Sequence, residues 1–173
     1  MRILILFAGL FFSIASFADD FVLKSSAFSD NAKLPAAYTC DGENVSPELS
    51  WTNTPNGTKS FTLVLTDPDA PQGTFYHWIL YNIPSDTQSL ARSIEILPGD
   101  TLLGKNSTGQ TNYFGACPPQ GTQHHYIFTL YALDISLNVT AGMDGPSLLA
   151  TIKNHILKTT TLTALYQRIE KKT

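Results

Sequence analysis

The run Tyr126-Ile127-Phe128-Thr129-Leu130-Tyr131-Ala132-Leu133 constrains this chain more than any other segment. It is rich in β-branched and aromatic residues and apolar at both odd and even positions, so the strand it predicts has two faces to bury. Such a strand belongs in the centre of its sheet. Phe61–Thr66 is a second run of β-formers, and Tyr76–Ile83 is a third, stopped by Pro84. Turn-forming clusters surround them: Thr54-Pro55-Asn56-Gly57, Gly104 to Gly109, and Pro118-Pro119-Gln120-Gly121. The spacing predicts an all-β sandwich with long functional loops.

One helix is expected. Asp144-Gly145-Pro146 sets its start, with proline in the first turn, and Leu148, Leu149, Ile152 and Ile156 recur at helical spacing. The β-branched stretch Thr159–Thr163 breaks or weakens it. A short element through Tyr166 and Ile169 follows, of a type the pattern leaves open.

The N-terminus reads as a secretory signal peptide. Arg2 precedes an apolar run from Ile3 to about Ala15, and Ser16-Phe17-Ala18 places small residues at −3 and −1 of a cleavage site after Ala18. The alternative is an uncleaved anchor, but the run is short for a span and Asp19 and Asp20 follow at once. The expected product is one domain, residues 19–173, exported to a bacterial periplasm or secreted. No later stretch is long and apolar enough to span a bilayer. The net charge is −3, and no basic stripe precedes Glu170-Lys171-Lys172, which argues against nucleic acid as a partner. At 14% charged residues the chain is too apolar for a disordered tail and predicts a compact body.

Cys40 and Cys117 both survive signal cleavage, and an exported compartment permits one bridge between them. It would close a loop of about 77 residues and stabilise by a few kcal/mol. Two buried free thiols are the alternative.

Two stretches carry candidate chemistry. In Leu65–Pro84, LTDPDAPQGTFYHWILYNIP, Pro68 and Pro71 fix their own φ and push Asp67 and Ala70 toward extended backbone. An extended segment would aim Asp67 and Asp69 to the same side. The alternative is a solvated acidic turn with Asp67 capping its own backbone. His77 opens the next strand, with Trp78 on the opposite face. In NYFGACPPQGTQHHYIFTLYALD, Gly115 and Gly121 bracket a loop stiffened by Pro118 and Pro119. Glycine lets backbone N–H groups approach a ligand, and a row of them favours an anion. His124 and Tyr126, two apart, face one side. Two proline-stiffened strand entrances, each with a histidine, describe a small pocket.

The residue pattern favours binding over catalysis. The aspartates and histidines could serve acid–base work, but no metal-ligand spacing, Gly-x-Ser-x-Gly elbow or Walker-type loop is present, so no metal or cofactor is expected. Cys117 could be a nucleophile beside His124, although a disulfide is the competing use. His155 reads as structural or surface. Three sequons, at Asn44, Asn106 and Asn138, matter only where exported proteins are glycosylated.

YTCDGENVSPELSW (38–51), the two stretches above and the closing HILKTTTLTALYQR follow in an order that resembles the phosphatidylethanolamine-binding protein family, in its bacterial Raf-kinase-inhibitor-like branch. The resemblance spans essentially the whole mature chain. It implies a two-sheet antiparallel β-sandwich with a C-terminal helix, and a small pocket for phosphate-like and other anionic head groups. Carried over by position, Asp67 and Asp69 match the acidic pair and His77 the first pocket histidine. Tyr113, Gly115 and Cys117 fall in the anion loop, and His124 and Tyr126 match the His-x-Tyr pair. His125 stands where many relatives have arginine, which makes charge at the rim depend on pH. A non-enzymatic modulator of a partner protein, such as a kinase or protease, is the implied role. A hydrolase using the Asp/His pocket and an interaction module with a vestigial pocket are the rivals.

Overall fold

The computed structural model describes residues 20–169, so the expected signal segment lies outside the described residues. A three-stranded sheet contains β1 (Val22–Lys24), β3 (Leu49–Thr52) and β6 (Ser89–Leu90), in the order β1-β3-β6. A six-stranded sheet contains β2 (Ala32–Lys33), β4 (Ser60–Asp67), β5 (Phe75–Pro84), β7 (Leu102–Leu103), β8 (Gln123–Leu133) and β9 (Ile156–Gln167). Its order is β2-β9-β8-β4-β5-β7, which puts β8 inside the sheet as its two apolar faces require. A short 3-10 turn covers Ala36–Tyr38, and α1 covers Gly145–Ile152. The described chain is thus strand-dominated, with two sheets and one α-helix.

Alternation along the strands divides the large sheet into two faces. Phe61, Leu63 and Leu65 of β4 and Tyr126, Phe128 and Leu130 of β8 share one buried cluster with Leu23, Leu49 and Trp51 of the small sheet. On the other face, Val64, Ile79, Tyr81 and Leu133 bury Leu148 and Ile152 of α1. The pairings are antiparallel except for β2 with β9, which is parallel.

The C-terminal expectation needs correction. α1 starts as predicted, with the Asp144 side chain accepting from the Ser147 N–H at 2.8 Å and proline in the first turn. It ends at Ile152, however, and does not reach Ile156. Ile156–Gln167 is one strand of 12 residues, paired with β8 from Leu133↔Ile156 to Gln123↔Gln167. The threonine-rich run does not merely weaken a helix. It extends because an open edge of β8 offers a full ladder of hydrogen bonds.

The β4–β5 register slips where the site lies. Leu65 pairs with Trp78 and Thr66 with Tyr76, so His77 is the extra residue of a β-bulge. Tyr76 then lies toward the α1 side of the sheet, against Gly145. His77 lies on the opposite side, with its ring 5.2 Å from that of Tyr126. Bulges re-aim a side chain at a strand end, which is what this one does.

Candidate ligand-binding site

Where β4 ends and β5 and β8 begin, the strand ends leave a cavity of about 370 Å³. Asp67, His77 and His124 form its polar part. Ala70, Pro71, Phe75, Phe114, Pro118 and Pro119 give it an apolar wall, Cys117 belongs to the loop side, and Arg168 borders it from the end of β9.

The polar part is fixed by buried hydrogen bonds. His124 Nδ1 lies 2.7 Å from Asp67 Oδ2, and both side chains are sealed, at 3% and 4% exposure. A carboxylate only accepts, so His124 Nδ1 carries the hydrogen and Nε2 is the nitrogen left for a ligand. Asp67 Oδ1 meanwhile accepts from the Asp69 N–H at 2.9 Å. One carboxylate therefore closes a turn and orients a histidine.

His77 is buried, and its Nδ1 donates to the Phe114 carbonyl at 2.8 Å. Burial lowers its pKa below the ordinary histidine value, opposed by the Phe114 carbonyl, by Asp67 and by the Gly115 backbone. Its ring packs between Phe75 and Phe114, at 4.6 and 5.8 Å between centroids. The Tyr126 hydroxyl is buried near Asp67 and the Cys117 backbone, with no well-aligned hydrogen bond among the described residues. Burial, and then the Asp67 charge, push that phenol's pKa up.

Four of the expected site residues, Asp67, His77, Cys117 and His124, come together in the lining. Tyr126 lies beneath them against His77. Asp69 does not join Asp67. The proline-stiffened segment turns rather than staying extended, and Asp69 Oδ2 accepts from His125 N and Nδ1, each at 2.7 Å. Pro68 suits the turn that Asp67 caps, so stiffness and turning coexist. Tyr113 is directed away from the lining, donating its hydroxyl to the Tyr38 carbonyl at 2.8 Å. The Gly115 N–H is not free for an anion, because it donates to Asn44 Oδ1 at 2.7 Å. Glycine is required at 115 for a different reason: a Cβ would come within 2.8 Å of the Tyr38 carbonyl oxygen and 2.9 Å of Thr39 Cα.

The disulfide is present, Cys40–Cys117, with 5.4 Å between Cα atoms. Arg168 was not anticipated as a site residue. Its Nε lies 3.1 and 3.2 Å from the Asp41 carboxylate oxygens, and Tyr166 also donates to Asp41, at 2.8 Å. Nothing local in the sequence announces it, since only β9 pairing brings residue 168 beside Gly121, whose N–H donates to the Arg168 carbonyl at 3.0 Å. Phe75 and Phe114 could have been found, because each lies within three residues of a candidate site residue. Among the described residues, no group of three or more His, Cys, Asp or Glu is placed to hold a metal ion.

Two sheets sharing one core, with a recessed Asp/His pocket at the strand ends, are the architecture of a small strand-built binding domain. The chain belongs to the phosphatidylethanolamine-binding protein family, whose profile matches residues 24–167. It is 42% identical over 149 residues to a UPF0098 protein of Methanothermobacter thermautotrophicus, covering 84% of this chain and 98% of that one. It is 37% identical over 155 residues to UPF0098 protein YbhB of Escherichia coli, covering 83% and 98%. Among solved structures, it is similar to Escherichia coli YbcL, described as a member of the mammalian PEBP family. There the TM-score is 0.81 at 30% identity, over 86% of this chain and 99% of that one. It is also similar to the homolog CT736 of Chlamydia trachomatis, with a TM-score of 0.79 at 35% identity over 88% and 98%. Family membership supports a binding protein.

Proposed function

We propose that this is an exported, non-enzymatic protein that takes a small anionic or phosphorylated head group, of the phosphoethanolamine type, into the pocket and modulates a partner protein. The partner would be of the kinase or protease kind. The sealed Asp67–His124 pair carries the proposal. It holds a ring nitrogen at the cavity with fixed orientation, while Arg168, held by Asp41, brings a guanidinium to the rim. His77, kept neutral by burial, offers an acceptor nitrogen that suits a ligand's ammonium or hydroxyl hydrogen better than a bare dianion. A zwitterionic ligand satisfies both demands. The apolar wall of prolines and phenylalanines would exclude water around it. The two sheets that share the core serve as the faces of a sandwich, and the disulfide agrees with an oxidising compartment.

Calorimetry with phosphoethanolamine tests the site. Binding to the wild type should weaken at least tenfold in His124→Ala and in His77→Gln, with His125→Ala as a matched control. Equal affinity in all four proteins would sink the assignment. Export is checked by whether the mature protein begins at Asp19.

The same Asp–His pair favours one rival, because a carboxylate-oriented imidazole can activate water for hydrolysis. Among the described lining residues the sulfur of Cys117 is held in the disulfide, which favours binding over covalent catalysis. Phospho- and acyl-ester turnover that disappears in His124→Ala would establish the hydrolase instead.

A further inference from the structure

The segment Tyr38–Asn44 contributes no residue to the pocket lining, yet it grips both sides of it. On the loop side, Cys40 is bonded to Cys117, and the Cys40 N–H donates to the Ala116 carbonyl at 3.1 Å. Asn44 Oδ1 accepts from the Gly115 N–H at 2.7 Å, and the Tyr38 carbonyl accepts from the Tyr113 hydroxyl at 2.8 Å. On the opposite side, the Asp41 carboxylate takes the Arg168 guanidinium, at 3.1 Å from a terminal nitrogen and 3.1 and 3.2 Å from Nε. The segment itself is tightly seated, since a Cβ on Gly42 would collide with the Ala36 carbonyl. Adjacent residues 40 and 41 therefore fix the loop wall and the cationic wall of one cavity.

We propose that Tyr38–Asn44 is a positioning element for the pocket, with Asp41 setting the Arg168 guanidinium and the Cys40–Cys117 bridge setting the loop wall, so that ligand affinity is coupled to the state of the disulfide. This rests on the binding role given above. In the coupled step a dithiol reductant attacks the bridge. The Cys40–Cys117 S–S bond breaks, two electrons and two protons pass from the reductant to the sulfurs to give two cysteine thiols, and the reductant closes into its own disulfide. Cys117 borders the cavity, so an occupied pocket also screens the bond from attack. Linkage makes the coupling reciprocal: if oxidation strengthens ligand binding, ligand makes the disulfide harder to reduce by the same factor.

Phosphoethanolamine binding is measured by calorimetry on the oxidised protein, on the protein reduced with dithiothreitol, and on Asp41→Asn and Asp41→Glu. Circular dichroism establishes that each is folded. At least tenfold weaker binding is expected on reduction and in Asp41→Asn, with recovery in Asp41→Glu. The midpoint potential of the disulfide is then titrated with and without saturating phosphoethanolamine. A tenfold coupling corresponds to a downward shift of about 30 mV, which a purely structural bridge would not show. Folded, reduced protein and Asp41→Asn that bind as tightly as the oxidised wild type, with an unmoved potential, would overturn the positioning role while leaving the pocket intact. Oxidised wild type that fails to bind phosphoethanolamine would overturn both proposals.

Discussion

Two Asp–His pairs lie side by side in this protein, formed by residues two apart on one strand end and adjacent on the next. Asp67 meets His124 and Asp69 meets His125, each at 2.7 Å. Their chemistry and distance are the same, but their surroundings are opposite. The first pair is 4% and 3% exposed, and the second is 39% and 49% exposed. Water screens the outer pair and competes for its hydrogen bonds, so that pair adds little. The inner pair is shielded from that competition, and removing either partner leaves the other buried without its charge-assisted hydrogen bond. The distance between two charged groups is thus a poor guide to what they do. Access to solvent decides it.

The largest expected effect separates the pairs directly. His124→Ala should cost about 3 kcal/mol or more in urea unfolding at neutral pH, because it leaves the Asp67 carboxylate buried without its ring partner. His125→Ala should cost about 1 kcal/mol or less. Comparable losses in the two variants would break the contrast. His77 gives an intermediate effect and a definite sign. Its folded pKa is depressed, so between that value and about 6.5 the unfolded chain binds a proton that the native state refuses, and stability falls with falling pH. The full slope for one proton is about 1.4 kcal/mol per pH unit. His77→Gln should flatten this acid limb; an unchanged limb would place the titration elsewhere. The smallest effect belongs to Asp69. The hydrogen bonds from His125 hold its carboxyl below the usual aspartate value. Its contribution is present above about pH 4 and disappears as pH drops through the lowered folded pKa. Asp69→Asn should therefore differ from wild type by about 1 kcal/mol or less near neutrality and converge with it in acid.

Much of the fold was legible because it is written in short-range patterns. The β-former runs at 61–66, 76–83 and 126–133 became β4, β5 and β8, and the Asp-Gly-Pro start of α1 holds. Two expectations failed for different reasons. Ile156 continues a helical spacing, but a partner distant in sequence, β8, drew it into a strand. The two prolines suggest an extended chain, but the alternative the sequence also offered prevailed, a local turn in which Asp67 accepts from the Asp69 N–H and from which Asp69 meets His125. The site was legible in its residue types and misread in its wiring. Asp67, His77 and His124 were found, but the pairing of Asp67 with one histidine and Asp69 with the next depends on β8 alternation meeting a turn. Arg168 depends on the register of a strand that the sequence did not reveal.

The bulge at His77 makes this site a matter of counting as well as of composition. Deleting Tyr76 alone would restore the even two-residue alternation with β4, and every side chain that lines the pocket would still be present. His77 would then swing to the helix-facing side, and Tyr126 would lose its aromatic neighbour. Sequence comparison that tolerates a one-residue gap there would score the histidine as retained in a protein whose receptor had closed.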